Sequence, residues 1–296
     1  MNASVITFST PGGEYAIPNR WQTLEEEHFL PTFSLLERWV GGKLSPIELQ
    51  TLYVCTVLGV DHRKVFDAGG GENLYTIAGT IDFLLSYDSS EDRYQIRQPL
   101  FARQFLPRIR LCGEELVGYT VCTAGGMLST DLQSIRFIDA LDLLAAGTPD
   151  SLLSLTLTLY AGGVYSAESV HRRAGAMQAR LTEDEARLVR AVAFQFGAFA
   201  SYIFSLPRYE LLKGRDRSSA EKSEYALGLE HTLYSLCSDG LGTASEVEGM
   251  PVLRFLETMR AKLIEGIRSM HEAGVKIFDI EEKTGVDVAT ISQIIH

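Results

Sequence analysis

The stretch AVAFQFGAFASYIFSLP, from Ala191 to Pro207, limits the architecture more than any other part of this 296-residue sequence. It falls short of the roughly 20 apolar residues that a membrane-spanning helix needs. It also carries Gln195, Ser201 and Ser205, and Arg190 stands just before it. A run this apolar is expected to be buried, so the sequence predicts a core helix rather than a membrane span. Thr182 and Glu185 have capping-box spacing and predict its start, and Pro207 predicts its end.

A chain of this length can bury one large core or two modest ones without disulfides or metals. Apolar residues make up 46% and charged residues 22%, which is globular rather than disordered composition. The 27 basic and 38 acidic residues give a net charge of −11. That charge repels a phosphate backbone unless basic side chains gather on one face, so nucleic acid is a disfavoured partner. The first residues, MNASVITFSTPGGEYAIP, contain neither a basic lead nor a continuous apolar run. No signal peptide is expected, and the cytoplasm is the expected location. Cys55, Cys112, Cys122 and Cys237 form no C-x-x-C pair. Cys112 and Cys122 flank a possible hairpin, but reduced thiols are the expectation in that compartment.

Along the chain, alternation over Val5–Phe8, the turn residues TPGGE and the return YAIP predict an N-terminal β-hairpin. Thr23 with Glu26 has capping-box spacing, Pro31 should kink or restart the helix that follows, and Gly41-Gly42 should stop it. In LSPIELQTLYVCTVLG, Ser45 is an N-cap, Pro46 suits the first helical position, Glu48 completes the box and Gly59 ends the helix. Between Tyr87 and Thr120 turn residues and alternation return, predicting a small β-containing excursion. Helices resume in LQSIRFIDALDLLAAG and SLLSLTLTLYAGG. KGRDRSSAEK, from Lys213 to Lys222, is polar throughout and predicts a connector. Beyond it, Leu256, Met259, Leu263, Ile267 and Met270 share one stripe of an amphipathic helix, which serves either as core or as a partner-docking face.

Chemical motifs are scarce. VGGKLS has Glu37 where a phosphate loop needs glycine and Leu44 where it needs a hydroxyl, and AGGGENLY lacks the lysine, so a flexible turn is expected there. The six histidines are scattered without ligand spacing, and no G-x-S-x-G elbow occurs. The carboxylates Glu25 to Glu27 suit the positive end of a helix dipole. No catalytic, cofactor-binding or metal-binding residue is assigned, and a non-enzymatic protein is expected.

The last residues, EEKTGVDVATISQIIH, fit a helix-turn-helix when Gly285 is taken as the turn glycine. Ile280, Val286, Ile291 and Ile294 then fall at apolar positions, and MHEAGVKI resembles the lead-in of recombinase-type segments. Glu281, however, stands where a small residue normally packs. The second helix has no lysine or arginine, and from Val252 onward six basic residues face seven acidic ones. A reading helix needs phosphate contacts to hold its register. Thr290 and Gln293 are the residues that would touch bases if this segment read DNA.

A further pattern lies at Pro18, Trp21, Leu24, Phe29, Leu44, Ser45 and Glu48: P-x-x-W-x-x-L, a phenylalanine, then g-x-L-s-x-x-E. With the middle region LQSIRFIDALDLLAAGTPDSLLSLTLTLYAGGVYSAESVHRRAGAMQARL and the apolar helix, it resembles tail-region proteins of phages and prophages of Bacteroides-type bacteria. The resemblance covers about residues 4–206 and departs from the group between Tyr87 and Thr120 and in the C-terminal third. It implies a non-enzymatic tail-assembly chaperone or minor structural protein. Other tail or structural proteins would be its partners, and the host cytoplasm or the virion its location.

The sequence therefore predicts a mainly α (α+β) protein: an N-terminal β-hairpin, a helical body, an excursion near 87–120 and a helical C-terminal part. Two regions are expected, 1–212 and 213–296. The favoured function is tail assembly through protein–protein contacts, with Leu256, Met259, Leu263 and Ile267 as partner-binding residues. The alternative is a DNA-binding regulator using about residues 277–296, with an enzyme as a third option. No cofactor and no membrane are expected, and a homo-oligomer stays open beside a monomer.

Overall fold

The computed structural model describes residues 4–10, 13–160, 162–212 and 242–296. The expected connector at 213–222 and Cys237 lie outside the described residues, as do Pro11 and Gly12 of the first turn. The protein is mainly α with some β, an N-terminal hairpin leading into helices and a helical C-terminal part. Its contacts divide it into two units, residues 1–106 with 181–198, and residues 107–180 with 199–296. This division falls elsewhere than the expected break at residue 213. The middle of the chain and the C-terminal part share one unit because residues 132–134 pair with 250–252. Ser134 N donates to Met250 O (2.8 Å), Val252 N to Leu132 O (2.8 Å), and the Ser134 hydroxyl to Val247 O (2.7 Å).

In the first unit, β1 (Val5–Thr10) and β2 (Gly13–Pro18) form the expected antiparallel hairpin, with Val5 opposite Pro18 and Thr10 opposite Gly13. A 3-10 turn, Trp21–Thr23, leads into α1 (Glu26–Val40). The Thr23–Glu26 capping box does not form. The Thr23 hydroxyl donates instead to Ser4 O and Arg20 O (both 3.0 Å), and α1 starts two residues later with Glu25 as its N-cap. Nor does Pro31 restart the helix: α1 runs unbroken through it. One proline near the N-terminus removes only the bond to Glu27 O, and burial of Phe29, Phe33, Leu35 and Leu36 offsets that loss.

In α2 (Pro46–Leu58) the expected signals all form: the Ser45–Glu48 capping box, proline in the first turn and Gly59 in the left-handed region at φ 63°. Two short helices follow, α3 (His62–Asp67) and α4 (Gly71–Ala78). Only the first glycines of AGGGENLY are turn, since Gly71 already opens α4. The hairpin of β3 (Leu85–Asp88) and β4 (Arg93–Ile96) comes next. The core is aromatic. Trp21 packs its ring against Phe29, Phe83, Phe101 and Phe194, and Phe29 stacks on Phe105 at 4.5 Å. Tyr53 donates its hydroxyl to Pro18 O (2.6 Å), tying α2 to β2.

The apolar stretch lies in α8 (Glu183–Ser205), whose start is capped by Thr182 and Glu185 as expected. Among the described residues this is the one helix long and apolar enough to cross a membrane by length and composition, and 56% of its apolar window is buried. Gln195 shows what the helix faces. Its side-chain oxygen accepts from Phe105 N (2.7 Å) and Leu106 N (3.2 Å), and its amide donates to Gln104.

The second unit opens with hairpins β5 (Arg108–Leu111) with β6 (Glu114–Val117) and β7 (Val121–Ala124) with β8 (Met127–Thr130). The excursion thus extends to Thr130 rather than ending at Thr120. Cys112 occupies the β5–β6 turn at φ 49°, and Cys122 lies in the next hairpin. They do not flank one hairpin, and neither they nor Cys55 is in a disulfide. Helices α5 (Ser134–Ala146), α6 (Pro149–Tyr160) and α7 (Ala167–Gln178) pack in sequence. Arg136 is buried in α5 and donates to Thr158 O and Gly163 O (both 2.9 Å) while covering the Tyr165 ring. The unit ends with the turn Glu210–Leu212, then α9 (Ala244–Glu248), α10 (Val252–Glu272), α11 (Ile277–Thr284) and α12 (Val288–Ile295).

Candidate functional site

The C-terminal helices form a small bundle of their own. Ile267 of α10, Ile280 of α11, Val286 of the turn and Ile291 of α12 are buried together. Leu211, Leu263, Met270, Val275, Ile277, Ile294 and Ile295 are half-buried around them. Gly285 takes φ 70° and ends α11, and Asp287 caps α12. Two helices joined at Gly285 therefore form where the sequence placed them, with Ile280, Val286 and Ile291 buried between them and Ile294 half-buried.

The candidate docking stripe, which the sequence left as either core or docking face, is half interior. Leu256 and Ile267 have no exposed area, and Met259 and Leu263 are half-buried. The stripe serves two neighbourhoods. The N-terminal half of α10 is tied to the rest of the unit by Val252 N to Leu132 O, by the Tyr209 hydroxyl to Leu253 O (3.4 Å) and by the Arg208–Glu257 ion pair (3.6 Å). Its C-terminal half packs on α11 and α12. A side chain with no accessible area docks a partner only after what covers it has moved.

Beside the bundle lies an open cleft of about 690 Å³. Leu211, Ile264, Val286 and Ile294 supply apolar walls, and Arg260, Glu210, Asp287, Thr290 and Gln293 supply polar ones. Thr290 and Gln293, the candidate base contacts, thus come together on this cleft. Thr290 is already engaged: its hydroxyl donates to one Asp287 carboxylate oxygen (2.7 Å) and its amide to the other (2.9 Å). Those two bonds hold the Asp287 carboxyl below the usual carboxylate range, so it stays ionised at neutral pH. An anion at the first turn of the presumed reading helix suits its own dipole and opposes a phosphate. Among the described residues, Arg260 is the one cation lining the cleft.

A hollow of about 480 Å³ at the end of α2 contains Cys55, Asp61 and His62. Burial, with Asp61 nearby, pushes the Cys55 thiol up, the opposite of what an activated nucleophile requires. Among the described residues no three His, Cys, Asp or Glu side chains gather as a metal site. The sequence signal that marked the bundle core was the isoleucine spacing. The cleft had no such signal, because Leu211 and Ile264 meet across more than fifty intervening positions.

Compared with protein-family models, curated proteins and solved structures, the chain matches none.

Proposed function

We propose that this chain is a non-enzymatic assembly protein of a phage or prophage tail, a chaperone or minor structural component that works by binding other proteins. The observation that carries the reading is the composition of the C-terminal cleft. Among the described residues, apolar walls with one cation and two carboxylates suit a polypeptide, whose backbone and side chains are mixed in polarity. They do not suit a phosphate backbone, which calls for several bases along one face. The resemblance over residues 4–206 supplies the biological setting, with the host cytoplasm as location and the virion as the alternative.

The test is affinity purification of the tagged full chain from its native host, with and without nuclease, followed by mass spectrometry. Recovery of tail tube or tape-measure proteins that survives nuclease is the expected result. Recovery of a defined DNA fragment without tail proteins would overturn it in favour of a DNA-binding regulator. One observation favours that second reading: α11 and α12 are joined by the short turn at Gly285 in helix-turn-helix fashion. Under it, Thr290 and Gln293 would contact bases, and binding would weaken steeply with salt.

A further inference from the structure

We propose that α11 and α12 are a detachable cover on the C-terminal half of α10, and that their release presents Leu263, Ile267 and Met270 to an amphipathic helix of a partner protein. The choice of partner rests on the assembly reading; the cover itself does not.

Three observations carry the proposal. First, each covering helix has eight residues, too few to be stable alone, so their order depends on what they pack against. Among the described residues of the buried cluster, every contributor except Leu211 lies between Leu263 and Ile295. The bundle is thus a satellite core, separate from the one that holds α5 and α6.

Second, the join between cover and helix is incomplete. The cleft of about 690 Å³ opens between Arg260 and Ile264 of α10 and Val286, Thr290 and Ile294 of the cover. Along that open side the two walls do not meet, so they exchange no dispersion contacts there. A side-chain hydrogen bond across the join, Arg268 Nε to Ile294 O (3.1 Å), lies on the exposed surface.

Third, the hinge is built in. α10 ends in a turn where Gly274 adopts φ 80°, a conformation natural to glycine, with Ala273 and Gly274 both exposed. Rotation there moves residues 277–296 as a piece without disturbing the N-terminal half of α10, which is anchored through Leu132, Arg208 and Tyr209.

The occupant follows from what now fills the place. Ile280 and Ile291, on two short helices, cover Ile267. A replacement must offer aliphatic side chains at helical spacing, the geometry by which one amphipathic helix seats on another.

Hydrogen exchange on the full chain tests the cover directly. Amides of residues 278–295 should exchange at least ~10-fold faster than those of α5 and α6, through an opening that leaves the rest folded. Exchange of both sets at one common rate would show that the cover opens only with global unfolding, and would sink the proposal. A second measurement uses a fluorescent peptide of residues 275–296 as the probe. It should bind the Ile291→Asp variant at least ~10-fold more tightly than the native chain, because the variant's own cover no longer competes. Equal binding to both would also overturn it. Should the variant fail to fold, exchange in the native chain still decides. Neither readout involves a tail protein, so loss of the assembly reading and loss of the cover are separate results.

Discussion

Gln195 is the residue on which the apolar helix turns. Buried among phenylalanines and alanines, it satisfies two backbone amides and one side-chain amide that no water reaches. Replacing it with leucine raises the helix's hydropathy yet leaves Phe105 N–H and Leu106 N–H without their acceptor. Each orphaned buried donor costs ~1–3 kcal/mol, so Gln195→Leu should destabilise the protein by ~3 kcal/mol in urea unfolding. A lipid-facing helix would give the opposite result, with leucine neutral or stabilising, and that outcome would refute the core-helix assignment. The sequence marks Gln195 as an anomaly in an apolar run. Its partners stand about ninety positions away, in an irregular segment with no pattern of its own, so their meeting is a tertiary fact that periodicity does not encode.

Elements whose signals are local were the legible ones. The boxes at Ser45–Glu48 and Thr182–Glu185 form because both partners lie within one turn and nothing else competes for them. The same spacing at Thr23–Glu26 fails because Thr23 lies in a 3-10 turn, where its hydroxyl donates to Arg20 O and to Ser4 O ahead of β1. Helices α3 and α4 are too short to show a period against their background. The β7–β8 hairpin carried a readable mark, Gly125-Gly126 at φ 58° and 79° between alternating residues, the glycine pair that a two-residue turn favours. Of the candidate site, the isoleucine core was legible and the cleft was not. At this scale Gly285→Ala puts a Cβ in the left-handed region and should cost ~1 kcal/mol. The loss should appear as faster exchange in α11 and α12 with the global unfolding midpoint little changed. An equal loss across the unit would mean that the bundle is not a separate cooperative element.

For the whole molecule, buried phenols set the alkaline limit. Burial raises Tyr53 and Tyr119 above the ordinary value, Tyr165 is raised by burial and its bond to Asp139, and burial takes Tyr209 to about 12. Each folded value exceeds the unfolded 10.0, so the stabilisation is complete below that pH and is lost as pH climbs toward the folded values. Unfolding free energy should therefore fall steadily from about pH 10 to pH 12. A single smooth tyrosinate titration near pH 10 that accounts for all twelve tyrosines, without unfolding, would contradict this. The hairpins bear on a different property. Among the described residues no sheet is wider than two strands, so every strand is an edge strand, with one side lacking a strand partner. Such edges invite pairing between copies. What opposes it is the net charge of −11, whose reach shrinks from about 10 Å in 0.1 M salt to about 3 Å in 1 M. Added salt is therefore expected to bring copies together at their strand edges while leaving each fold intact, a change that light scattering against ionic strength would read.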